Sequence, residues 1–68
     1  MLDQQKIGQK VRAKRESLNL TREQLAVAAG VTASTVRNVE HGEGNATLGT
    51  IDAIATALGL SVARLVRE

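Results

Sequence analysis

One pattern of apolar and polar positions occurs five times along the 68-residue chain. An apolar residue is followed by a side chain able to cap a helix, then three others, then a second apolar residue. The five instances are Leu2-Asp3-Ile7, Leu20-Thr21-Leu25, Val31-Thr32-Val36, Ala46-Thr47-Ile51 and Leu60-Ser61-Leu65. Physically this is a hydrophobic staple around an N-cap: the side-chain oxygen accepts an otherwise unpaired backbone N–H, and the apolar pair fixes the angle at which the chain arrives. Thr21 and Gln24 also have capping-box spacing, whereas Ala46 is the weak member of the set. Gly30, Gly42 and Gly59 follow the periodic stretches where a left-handed terminator is expected, and Asn19 can serve the first helix. The pattern predicts helices near residues 4–18, 22–29, 33–41, 48–58 and 62–67, with residues 41–46 as loop. There is no strand alternation, linker or low-complexity segment, and the irregular intervals between starts are not a repeat.

Each predicted helix carries an aliphatic stripe. The first offers Ile7, Val11 and Leu18; the second Leu25 and Ala29; the third Val36 and Val39. The fourth, with Leu48, Ile51, Ile54, Ala55 and Leu58, has the strongest stripe and is expected to be the central strut. Gly8 and Gly49, inside helices, read as close-packing points, since each costs about 1 kcal/mol relative to Ala. Ala26, Ala28, Ala29 and Gly30 keep the end of the second helix slim, so the third can cross it after a tight turn. The expected fold is all-α, a compact five-helix domain spanning residues 1–68, with a helix-turn-helix at about 21–41.

At about 100° per residue, Thr32, Val36, Val39 and Glu40 fall on one side of the third helix. Ser34, Arg37, Asn38 and His41 fall on the other, with Ala33 on the flank. Arg, Asn and Ser suit donation and acceptance at base edges in a major groove, although any surface helix has a polar face. Glu40 is the anomaly, because a carboxylate on a packed face is costly unless paired. Arg15, on the flank of the first stripe, is the candidate partner, and together they would form a structural ion pair. The alternative is a Glu40 turned to solvent past Val36.

Composition narrows the chemistry. With no Cys there are no disulfides or thiolate metal sites, and one His cannot build a metal site alone. Without Phe, Tyr or Trp the core is aliphatic and stacking on single-stranded bases is excluded. No nucleophile–base pair or phosphate-loop glycine pattern points to an enzyme, and no cofactor is implied. No apolar run is long enough for a bilayer, so a soluble cytoplasmic protein, nucleoid-associated when bound, is expected. The net charge of +2 is unevenly placed: residues 1–22 balance to +4 and residues 23–68 to −2. A basic end suggests an anionic partner, though a solvated charged helix would look the same.

Residues 7–66 resemble the Cro/C1-type (XRE-like) helix-turn-helix domains of phage repressors and bacterial regulators. The resemblance rests on Ile7-Gly8, Val11-Arg12, Arg15, Leu20-Thr21, Leu25-Ala26 and Gly30-Val31. It continues through Ser34-Thr35-Val36, Val39-Glu40, Gly42, Ala57-Leu58-Gly59-Leu60-Ser61 and Leu65. It implies a lambda-repressor-like fold binding operator DNA, usually as a symmetric dimer, with the third helix in the major groove and an Arg15–Glu40 pair beneath. Carried over by position, it puts Ala33, Ser34, Arg37 and Asn38 at base-reading sites and Thr21 and Arg22 at phosphates. Lys10, Lys14 and His41 are further phosphate candidates. Val62, Leu65 and Val66 form an apolar end that either packs on the fourth helix or contributes to a dimer interface.

Departures from the family pattern bear on affinity. Arg22 stands where many relatives have Gln and could act as a charge clamp. Ala33 replaces a frequent polar reader, leaving contact with a thymine methyl. Ala46 replaces a common Pro, Lys14 a common Leu, and Glu43 lies in a loop where relatives carry Lys or Arg and would repel a phosphate. The expectation is a sequence-specific regulator of repressor type, homodimeric on double-stranded DNA. The alternative is a protein-interaction module, such as an antitoxin or adaptor, with its partner on helices four and five.

Overall fold

Every expected helix start carries its cap. Asp3 accepts from the Lys6 N–H at 3.1 Å, Thr32 from Thr35 at 3.1 Å, Thr47 from Thr50 at 3.1 Å and Ser61 from Arg64 at 3.2 Å. At Thr21 the box closes both ways: Thr21 Oγ1 accepts from the Gln24 N–H at 3.0 Å, and Gln24 Oε1 from the Thr21 N–H at 2.8 Å. The computed structural model, which describes residues 3–44 and 46–66, has five helices among them. They are α1 (Gln4–Ser17), α2 (Arg22–Ala29), α3 (Ala33–Glu40), α4 (Leu48–Ala57) and α5 (Val62–Val66). Leu2 of the first staple and residue 67 of the last expected helix lie outside the described residues.

The first four helices end alike. The chain passes through a left-handed residue, Asn19, Gly30, Gly42 or Gly59, whose N–H returns to the last turn of the helix. The next N–H reaches one residue further back: Leu20 to the Arg15 carbonyl, Val31 to Ala26, Glu43 to Asn38 and Leu60 to Ala55. This paired pattern satisfies carbonyls that a helix end leaves open. Leu20, Val31 and Leu60 also pack against the core, so each closes one helix and staples the start of the next. Glu43, in the same position after α3, is exposed instead.

The principal helix contacts close into a ring, α1 to α3, α3 to α2, α2 to α4, α4 to α5 and α5 back to α1. No helix is a central strut, and the role expected of α4 falls to all five. Val11, Leu25, Val36, Ile54 and Leu65, one from each helix, are the largest fully buried side chains. The stripes expected of α1 and α4 run too long: Leu18 is 44% exposed and Leu48 59%. Both stand at helix ends, where the ring does not cover them.

Gly8 is a genuine close approach. A Cβ there would lie 2.7 Å from the Glu40 carbonyl oxygen, and closer still to that of Val39, so α1 and α3 meet backbone to backbone. Gly49 is not one. Its Cβ would meet only the Thr47 hydroxyl, at 3.7 Å, in ordinary van der Waals contact, because the first turn of α4 is open to solvent.

Candidate nucleic-acid interface

The turn between α2 and α3 is built by Gly30, whose φ of +72° suits a residue without a Cβ. Val31 then folds back onto Ala26, its N–H 3.0 Å from the Ala26 carbonyl. This geometry sets α3 across α2 with Val36, Val39 and Glu40 buried and Ser34, Arg37, Asn38 and His41 exposed. Ala33 is half-buried on the flank, and Thr32, the cap, is exposed rather than packed.

Beneath that outward face lies an ion cluster. The Glu40 side chain is 0% exposed, and Arg15 Nε donates to its Oε2 at 2.6 Å while Arg15 Nη2 donates to Oε1 at 3.1 Å. Arg15 Nη1 also donates to the Leu20 carbonyl at 2.8 Å, tying the end of α1 to the same point. Arg22 is a second partner, its Nε donating to Glu40 Oε1 at 3.1 Å. Burial pushes the Glu40 carboxyl up, but the hydrogen bonds and charges of the two arginines outweigh it and hold the group below the usual carboxylate range. The Glu40 hydrogen bond raises Arg15 further, against the opposing effect of its burial. The described residues leave no buried side-chain polar atom without a partner.

Residues named from the sequence as phosphate contacts divide. Thr21 and Arg22 lie at the start of α2, where the helix dipole favours an anion. Together with Arg12, Arg15 and Glu23 they line one shallow depression. His41 is exposed next to them, its Nε2 3.4 Å from Arg22 Nη2. Lys10 lies apart from them, and Lys14 is half-buried on α1. Gly8 marks the side of α1 that faces α3, and Lys10 stands about 160° around the helix from it, Lys14 about 120°. Lys10 instead shares a separate open surface with Lys6, Gln9 and Ala13. Arg12, about 40° from Gly8, lines the depression with Thr21 and Arg22 and was not among the phosphate contacts named from the sequence. Its spacing of four from Gly8 was the available signal. It sits within reach of Glu16, 3.2 Å away, on an exposed face.

Arg37 has two neighbours at one end of its guanidinium. Its Nη1 donates to Asn38 Oδ1 at 3.3 Å and lies 3.6 Å from Glu43 Oε1. Of the three residues named for a dimer interface, Leu65 is fully buried in the monomer's own core, so it is not a surface residue. Val62 is half-buried and Val66 exposed. A cavity of about 30 Å3 beside Ile7, Val39 and Ile51 has room for little more than a water. Among the described residues no group of His, Cys, Asp or Glu could hold a metal, and no helix is long and apolar enough to cross a membrane.

Two capped helices crossing at a left-handed glycine, with the second locked from beneath, agree with what comparison finds: the helix-turn-helix family model matches residues 11–65. The chain belongs to the helix-turn-helix family, of Cro/C1 type. It is 37% identical over 62 residues to an immunity repressor protein of Bacillus phage phi105, covering 91% of this chain and 43% of the repressor. The chain therefore spans less than half the length of that relative. Among solved structures, the restriction-modification controller protein C.AhdI of Aeromonas hydrophila superposes with a TM-score of 0.86 at 38% identity, covering 93% of this chain and 96% of the controller. A hypothetical transcription factor from Neisseria superposes with a TM-score of 0.89 at 26% identity, covering 96% and 75%.

Proposed function

We propose that this helix-turn-helix chain is a sequence-specific, double-stranded DNA-binding regulator of the repressor type, and not an enzyme. The observation that carries the reading is the two-sidedness of α3. Its inner face is immobilised by Val36, Val39 and the doubly paired Glu40, while Ser34, Arg37 and Asn38 stand exposed as a rigid polar surface. A binding site on a locked helix holds its backbone in register, so only side chains remain to be ordered at the moment of binding. In this reading α3 enters the major groove, where Arg37 reads guanine O6 and N7, Asn38 reads adenine, Ser34 reads either, and Ala33 offers contact to a thymine methyl.

Phosphate contacts come from the start of α2, through Thr21 and Arg22, with Arg12 and His41 beside them. These contacts set register and carry no sequence information. Lys10 shares a separate open surface of α1 and is not assigned to this one, while Lys14 stays a candidate backbone contact. The protein binds as a homodimer on a palindromic operator with half-sites about one helical turn apart. Val62 and Val66 supply apolar surface for the second copy. The names of the repressor and controller relatives support the regulatory role.

Selection of bound sequences from a random duplex library, at stated salt, tests this. An enriched palindrome supports both base reading and dimeric binding. Weak, salt-sensitive binding without enrichment would instead favour a protein-interaction module built on the same fold.

A further inference from the structure

We propose that Glu43 is a positioning residue for Arg37 and through it a determinant of DNA sequence preference. The inference rests on the reading of α3 as the base-reading helix. Three observations meet at this residue.

The first is a departure from the chain's own rule. Three of the four matching helix ends place an apolar residue after the left-handed one, and Leu20, Val31 and Leu60 pack into the core. After α3 that position holds Glu43, a carboxylate that stays more than half exposed although Ile7, Val39 and Ile51 lie beside it. The second is its fixed placement. The Glu43 N–H donates to the Asn38 carbonyl at 2.8 Å, following Gly42 at φ +67°, so the residue is pinned to the last turn of α3. The third is its contact. Glu43 Oε1 lies 3.6 Å from Arg37 Nη1, with the two side chains 58% and 51% exposed.

A carboxylate beside a DNA-binding helix repels phosphates on every duplex, cognate or not. That cost is blind to sequence. What distinguishes sequences is the guanidinium it holds: with Glu43 and the Asn38 amide oxygen both at Nη1, Arg37 turns its Nε and Nη2 N–H groups outward. On a duplex with a matching acceptor the fork engages without prior ordering. On a mismatched duplex Arg37 stays with Glu43 instead of swinging to a phosphate, so non-cognate binding gains little from it. Glu43 thus lowers affinity overall while widening the gap between cognate and random DNA.

The test is a four-protein cycle of wild type, Glu43→Gln, Arg37→Ala and the double variant. Affinities are measured on a library-selected duplex and a random duplex over a salt series. Glu43→Gln should tighten binding to the random duplex and lower the cognate-to-random ratio by roughly 1.4- to fivefold, the range spanned by an exposed ion pair. In the Arg37→Ala background the same change should move both duplexes by one common factor. In the free protein, Glu43→Gln should shift the Arg37 Nε–Hε resonance and increase its side-chain mobility in nitrogen-15 relaxation. A common factor on both duplexes with Arg37 present would reduce Glu43 to simple repulsion and overturn the proposal, as would an unchanged Arg37 resonance. A wild type that enriches no sequence would overturn the DNA-reading assignment itself, and this inference with it.

Discussion

Gly8 of α1 and Glu40 of α3 meet backbone to backbone, and a Cβ on Gly8 would stand 2.7 Å from the Glu40 carbonyl oxygen. The contact lies at the end of α3 where Arg15 and Arg22 converge on the Glu40 carboxylate. The lock under the proposed reading helix therefore depends on a position that tolerates no side chain. Gly8→Ala should cost about 1–3 kcal/mol, the usual range for overpacking, despite the better helix propensity of Ala. Thermal unfolding followed by circular dichroism measures it, and a variant as stable as wild type would show that α1 can shift without loss.

Gly49 should behave in the opposite way. Nothing near its Cβ position resists a methyl group, and it sits in the first turn of α4. Gly49→Ala should stabilise by about 0.5–1 kcal/mol, read as a rise in Tm in the same experiment.

The Glu40 cluster predicts a pH dependence with a definite sign. Its folded carboxyl is held below the ordinary value, so its contribution is present in full above the unfolded glutamate pKa, about 4.3. It is lost as pH falls through the lower folded value. Glu40→Gln keeps the volume but loses the charge, and should cost about 1.5–3 kcal/mol at pH 7, the range for hydrogen bonds to charged groups. Denaturant titrations of both proteins at pH 7 and pH 3 should show the difference narrowing in acid. An equal difference at both pH values would mean the charge of Glu40 contributes nothing.

On DNA, three substitutions should separate. Arg37→Ala should cost about 1–3 kcal/mol on a selected duplex if it reads guanine bidentately, with little change on random DNA. Arg12→Ala should weaken both duplexes alike and lower the salt slope by about 0.9 for each phosphate lost. Lys10→Ala, on the far side of α1, should resemble wild type in slope and affinity. A Lys10→Ala effect matching that of Arg12→Ala would place the phosphate path over the opposite flank of α1.

The five helices, with their starts and stops, were legible in the sequence. Each boundary is made by residues within six positions of one another, such as Thr21 with Gln24 and Val31 with Ala26. The outward set on α3 was legible for the same reason, since helical phase follows from spacing alone. So was the Arg15–Glu40 pair, because a charge on an apolar face demands a partner and few candidates lay within reach.

What remained hidden lies between elements. Leu18 and Leu48 continue their stripes by spacing, yet whether a stripe's last residue is covered depends on where the neighbouring helix ends. Arg22 and Arg12 are surface residues by any local rule. Only the crossing of α2 over α3, and the side of α1 that Gly8 turns toward α3, bring one to Glu40 and the other to the start of α2. Leu65 reads as a loose apolar end until the ring of helices closes and α5 completes it. Short-range caps and periodicity determine which segments are helices and which way they face. The tertiary structure decides which long side chains meet, because their reach is comparable to the spacing between helices and small differences in placement choose the partner.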